Sequence, residues 1–388
     1  TAFHPALSAA LSLPNADALP VSDDGSRTPI VRSQRQLAAI INNAVWLDVK
    51  DAADAFDARN APHSSIRHRE AARLVSYSQD GAGAWLTLLP DHSLAHSITD
   101  SDTYLAALQR RFGLYISALA PCLHALAAAR GPPSQQDLLG DVAINTTNKS
   151  TRHRAGLRAT YTALTALSTA TQPAGALLLG DKGDGTPASR TDAQARYAHV
   201  CASHIPDILR LSPPACIEFK SYTALAASNN ACGRGGAAGG APSATDGHEF
   251  AFGNTAERLR ATVLGLAQRG HPSQPAHDRL TGVGYVAAKD GDYADAIAKN
   301  HPVSLLITES SGAFDPVMTL LLRANARVAR APGTHDSTVY GAARTSPREY
   351  YAHHAAAISS AIVFTDARTL LSYAEYLGRL RIRGAPST

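Results

Sequence analysis

The chain has 388 residues, a net charge of +4 and 45% hydrophobic but only 6% aromatic residues, enough for two or three cores, since one core rarely grows past ~250–300 residues. No run of ~18 apolar residues occurs, which excludes a membrane-spanning helix. The four cysteines (Cys122, Cys201, Cys216, Cys232) lack CxxC spacing, which excludes a disulfide scaffold and an intact zinc site and points to a reducing compartment.

In chain order, residues 1 to about 30 are rich in Pro, Asp and Ser and read as an extended arm. The sequence starts at Thr1 rather than Met, as expected of a fragment, a cleaved precursor or an unassigned start. Helices are expected over 32–45, with Ser33 as N-cap, over 49–58 and over 64–74. A turn at 76–81 and the small residues Gly81 to Ala84 lead into an apolar segment at 85–90. Amphipathic helices follow over 99–113 and 116–129, closed by Gly131-Pro132-Pro133. Another helix opens at Thr151 and runs to about residue 170, followed by a short apolar strand at 176–179. Two further short strands lie at 204–209 and 216–222. Beyond the Gly/Ala-rich stretch 231–246 come a helix over 255–269, a strand or loop at 282–286 and a helix over 292–299. The clearest buried strand is 303–309, and after Pro316 the chain is helical over 317–330, 347–360 and 365–381.

Two of these strands carry the most chemistry. Together they spell Pro206-Asp207, a ten-residue gap, then Glu218-x-Lys220. Side chains alternate on a strand, so Glu218 and Lys220 share one face while Ile217 and Phe219 take the other. If the preceding strand pairs with this one, Asp207 reaches the same spot. Two carboxylates and an ammonium at a sheet edge suit Mg²⁺, which takes oxygen ligands from one or two carboxylates plus substrate oxygens. The Lys would orient the attacking water or steady charge developing on phosphorus. An ordinary hairpin ending in a surface Glu and Lys accounts for the same residues.

This pattern resembles the PD-(D/E)xK nuclease superfamily, matched by Pro206, Asp207, Glu218 and Lys220. The resemblance implies a Mg²⁺-dependent phosphodiesterase core with Asp207 and Glu218 as metal ligands and Lys220 assisting. The expected order of helix, three strands, helix and strand is the α-β-β-β-α-β order of that superfamily. The expected fold is therefore mixed α/β (α+β). It comprises the arm over 1–30, a helical N-terminal domain over 31–135, a restriction-endonuclease-like core with a mixed sheet over 136–316, and C-terminal helices over 317–388.

A longer resemblance covers roughly residues 30 to 375. It is carried by Gly81-Ala82-Gly83-Ala84-Trp85, Arg110-Arg111-Phe112-Gly113, Gly140-Asp141-Val142-Ala143 with Arg152-His153, the two motif strands, Phe252-Gly253-Asn254-Thr255, Tyr293-Ala294-Asp295-Ala296 and Thr308-Glu309-Ser310-Ser311-Gly312. These segments resemble the region downstream of the polymerase in LINE-type retroelement proteins of algae and other protists. That region typically pairs a Cys/Cys/His/Cys zinc knuckle with a restriction-like endonuclease. Here Val142 stands where the His is expected, and no Cys lies between Asp141 and His153. Cys122 and His124 are the nearby candidates, and two ligands do not make a structural zinc site, so no zinc is expected. The resemblance implies a domesticated or detached descendant.

The remaining candidates are weaker. Arg152, His153, Arg154 and Arg158 open a helix as nucleic-acid phosphate contacts or as a solvated basic face. Glu309 either approaches the metal site or, the favoured reading, caps the next helix. Gln268 reads as a surface residue, His353 and His354 are not an i, i+4 metal pair, and Asp181 to Gly185 reads as a turn. Two functions follow: a Mg²⁺-dependent DNA endonuclease, or a non-catalytic protein on the same core, structural or RNA-binding, in a large nucleoprotein assembly such as an organelle ribosome. The first implies the nucleus, the second an organelle such as the mitochondrion. Both imply nucleic acid (DNA or RNA) as a partner and no membrane.

Overall fold

The computed structural model describes residues 48, 51, 52, 55, 69–87, 100–127, 131–146, 149–166, 199–211, 214–223, 254–277, 283–329 and 350–384. The chain divides into two compact units, Thr1–Ala71 and Ala72–Thr388. In the first, Asp48, Asp51, Ala52 and Ala55 are helical, as are residues 69–71. The arm over 1–30, the helix over 32–45 with its Ser33 cap, the strand at 176–179, the turn at Asp181 and the Gly/Ala-rich stretch lie outside the described residues.

Helix α1 (Arg69–Ser78), whose residues from Ala72 on belong to the second unit, runs four residues past the expected end at 74. Trp85, expected in an apolar segment, sits on a 3-10 turn (Ala84–Thr87) and is fully buried, edge-on to Tyr104 and Phe364. Helix α2 (Ser101–Arg111) begins where Asp100 accepts the backbone N–H groups of Asp102 and Thr103, and it ends on Arg110 and Arg111, which complement the helix dipole. Of the helix expected over 116–129, the described residues show α3 (Ala120–Ala125), a turn at Leu126 and helix at Ala127; Pro121 stands in the first turn of α3, and the Ile116 N–H donates to the Leu138 carbonyl at 2.9 Å.

Two short helices not anticipated from the sequence follow, α4 (Gln135–Leu138) and α5 (Asp141–Thr146). A reciprocal cap starts α4: the Asp137 N–H donates to Ser134 Oγ, and the Ser134 N–H donates to Asp137 Oδ2. Helix α6 spans Lys149–Thr165.

The fold is mixed α/β, a small three-stranded mixed sheet with helices at both ends of the chain. Strands β1 (Ile208–Leu211) and β2 (Pro214–Tyr222) pair antiparallel, with Ile208 opposite Ile217. Strand β3 (Val303–Glu309) pairs parallel to β2, with Glu218 beside Leu305 and Lys220 beside Ile307. A parallel neighbour requires a crossover. Between β2 and β3 lie helix α7 (Asn254–Leu264), a bridged loop and the short helix α8 (Ala294–Ala298). The helix expected over 255–269 stops at Leu264 because Gly265 turns the backbone left-handed, at φ +83°.

After β3, Asp315 accepts the Met318 N–H at 3.0 Å and starts helix α9 (Pro316–Ala329), with Pro316 in the first position. The two helices expected over 347–360 and 365–381 are one, α10 (Tyr350–Gly384), 35 residues long. Its first half joins Leu157, Ile217, Phe219, Leu306 and Met318 in a core under the sheet. Its second half, from Val363 to Leu377, joins Trp85, Ile116, Leu119 and Ile144 in a second, helical core. No described helix is long and apolar enough to cross a membrane.

Candidate functional site

The alternation of β2 decides which side chains meet. Ile217 and Phe219 turn to α6 and α10, and the approach is close enough that a Cβ on Gly156 of α6 would lie 2.7 Å from the Phe219 ring. Cys216, Glu218 and Lys220 take the opposite face. The β1–β2 register, carried one residue past Ile208–Ile217, sets Asp207 opposite Glu218.

Glu218 is buried, at 2% exposure, and each carboxylate oxygen is engaged. Lys220 Nζ donates to Oε1, with His204 Nε2 3.8 Å from the same oxygen. The Tyr293 hydroxyl donates to Oε2 at 2.5 Å. Burial favours the neutral acid, but His204, Lys220 and Tyr293 outweigh it and hold the Glu218 pKa at about 2, so the carboxylate is ionised across the working range. Burial, and after it the Glu218 charge, pushes the Tyr293 phenol far above its ordinary value, so it stays a donor. The Cys216 thiol is raised to about 12, first by burial, and is inert.

Asp207 is half-buried. Its Oδ2 accepts the Phe219 backbone N–H at 2.9 Å and lies 3.4 Å from His153 Nε2. Its Oδ1 has no hydrogen-bond partner among the described residues. His153 Nε2 is 2.8 Å from the Phe219 carbonyl, which only accepts, so that nitrogen carries the hydrogen. Burial opposes a charged ring there, but the hydrogen bond and charge of Asp207 outweigh it, and the His153 pKa is raised.

The other basic residues expected on α6 part company. Arg152 is buried, 3.1 Å from both oxygens of Asp366 and 3.0 Å by Nε from Ser221 Oγ, so its guanidinium ties α6 to α10 and β2. Arg154 and Arg158 are exposed.

Glu309 neither joins the Glu218 site nor caps the next helix. It is fully buried, accepting from the hydroxyls of Ser76, Tyr222 (2.6 Å) and Ser311, and burial raises its pKa. Gln268 is exposed, on the loop after α7. His353 and His354 stand edge-on, ring centroids 4.7 Å apart.

Two partners of Glu218 carried no role in the sequence reading. His204 lies three residues before Asp207, so its nearness to the motif is a signal that the sequence carries. Tyr293 is 75 residues from Glu218, and nothing in local spacing could have joined them.

The donors fit a hard dication in type: an ionised carboxylate, and a second, half-exposed carboxylate with an unengaged oxygen. Of the present partners of Glu218, Lys220 reaches from the solvent side, its side chain 32% exposed, whereas Tyr293 is fully buried. Among the described residues no group of three His, Cys, Asp or Glu side chains is gathered as a metal cluster. Compared with family models, curated proteins and solved structures, the chain matches none.

Proposed function

We propose that this chain is a retroelement-derived nuclease of the PD-(D/E)xK type that cleaves DNA phosphodiesters with Mg²⁺. The observation that carries the reading is the ion pair of an ionised Glu218 with Lys220 at one end of the β1–β2 hairpin, with Asp207 fastened to the N–H of Phe219 between them. The order α6, β1, β2, α7, β3, with β3 parallel to β2, supports this reading, and the strand expected at 176–179 lies outside the described residues.

Asp207 and Glu218 would hold the ion. A bound Mg²⁺ supplies Lewis acidity and a water of lowered pKa. Lys220 aligns the attacking oxygen or steadies charge on the phosphoryl group. Phe219 and His153 fix the carboxylate of Asp207, while Tyr293 and His204 hold that of Glu218. Arg154 and Arg158, exposed on α6, suit the substrate backbone.

Supercoiled plasmid incubated with the purified chain and Mg²⁺ tests this reading. Nicking that disappears in Glu218→Gln supports it; cleavage unchanged by that substitution removes the site from the chemistry.

A second reading, a catalytically silent nuclease-fold protein that is structural or RNA-binding in a large nucleoprotein assembly such as an organelle ribosome, is favoured by one observation. Both oxygens of Glu218 are already satisfied inside the protein. Absence of cleavage in either Mg²⁺ or Mn²⁺, together with stoichiometric co-sedimentation with a large particle, selects it.

A further inference from the structure

We infer that Tyr293 is a positioning residue for Glu218, fixing which way its carboxylate presents to a cation; the inference rests on the reading of Asp207 and Glu218 as cation ligands. Tyr293 is fully buried, and its hydroxyl, with one hydrogen to give, donates it to Glu218 Oε2 at 2.5 Å.

The backbone beneath that hydroxyl is fixed twice over. The N–H groups of Asp292 and Tyr293 donate to the carbonyls of Thr262 and Val263 at the end of α7, at 2.8 and 3.2 Å. Gly265 and Gly291 let the two segments touch: a Cβ on Gly291 would lie 2.5 Å from the Val263 carbonyl oxygen. The ring is held as well. His204 meets it edge-on at 4.9 Å, and Ser203 Oγ donates to the Asp292 carbonyl at 2.7 Å, so the segment before β1 grips the same turn. Tyr293 is thus a donor anchored at both ring and backbone, whereas Lys220 reaches Glu218 on a longer stem that is 32% exposed. An outer donor of this kind sets the orientation of the carboxylate it bonds, and losing one typically costs 10–100-fold in metal affinity.

Strand β2 supplies its own control. Tyr222, four residues after Glu218, makes the equivalent bond to the buried Glu309 at 2.6 Å, away from the site. Tyr222→Phe removes the same kind of hydrogen bond from the same strand without touching the site.

Calorimetric titration of the full chain with Mn²⁺ compares wild type, Tyr293→Phe and Tyr222→Phe. The expected result is affinity weakened about 10–100-fold in Tyr293→Phe and unchanged in Tyr222→Phe. Unchanged affinity in Tyr293→Phe overturns the inference while the cation site stands, and equal weakening in both variants overturns it as a general packing effect. A wild type that takes up no Mn²⁺ overturns the reading of the site itself, and this inference with it. If Tyr293→Phe does not fold, Ser203→Ala, which removes the Oγ bond to the Asp292 carbonyl beneath the Tyr293 ring and leaves the partners of Glu218 in place, is titrated instead: weakened affinity supports the inference, and wild-type affinity overturns it.

Discussion

Asp207 and Phe219 are joined by a hydrogen bond from the Phe219 backbone N–H to the Asp207 carboxylate at 2.9 Å, so the first acid of the motif is fastened to the residue between the other two members. The bond pins the carboxylate to the strand that bears Glu218 and Lys220, and it satisfies a backbone donor of a fully buried residue.

Asp207→Ala therefore has a structural cost as well as a chemical one. It leaves that N–H unpaired, and the expected loss is about 1–3 kcal/mol in urea unfolding. Asp207→Asn keeps an oxygen to accept the bond and is expected to lose less stability, while both variants lose Mg²⁺-dependent cleavage.

His153 gives the site a pH signature. Its pKa is raised above the ordinary 6.5, chiefly through Asp207 against the opposing effect of burial. The contribution of the folded state is full below 6.5 and is lost as pH rises through the folded-state pKa. Unfolding free energies across about pH 5.5–8.5 are expected to fall more steeply on the alkaline side in wild type than in His153→Gln. Parallel curves would mean that His153 does not sense Asp207.

The arginines of α6 are expected to separate by function. Arg152→Ala leaves Asp366 buried without its guanidinium and should cost about 3–5 kcal/mol of stability. Arg154→Ala and Arg158→Ala should leave stability within about 0.5 kcal/mol. If they contact phosphates, each lowers the salt dependence of nucleic-acid binding by about one unit of slope. Anisotropy titrations over a salt series, set beside thermal melts, read both effects.

Gly156 decides how closely α6 lies on the sheet. Alanine is the better helix former by about 1 kcal/mol, but here its methyl would sit 2.7 Å from the Phe219 ring and 3.1 Å from Ile362. Overpacking should win, with Gly156→Ala destabilised by about 1–3 kcal/mol on denaturant unfolding.

Features governed by neighbouring residues were legible in the sequence. Alternation along 216–222 separates Glu218 and Lys220 from Phe219, and the apolar run at 303–309 coincides with β3. Features governed by tertiary contact were not. Ser359, Ser360 and Thr365 resemble a break between two helices, yet α10 runs through them. Ser360 Oγ donates to the Ala357 carbonyl and Thr365 Oγ1 to that of Ala361, so the polarity of these two is absorbed by the helix itself. Arg152 looked like a surface cation because its partner Asp366 is 214 residues away. Tyr293 reaches Glu218 across the crossover between β2 and β3, which local periodicity does not encode.

Helix α10 has a bearing on the order of assembly. At 35 residues it is about 52 Å long and contributes Ile358 and Ile362 to the core under the sheet, Phe364 and Leu370 to the helical one. During synthesis neither apolar cluster can close until residues 350–377 have emerged, so the hairpin bearing Asp207 and Glu218 waits, half-covered, on a helix made well after it.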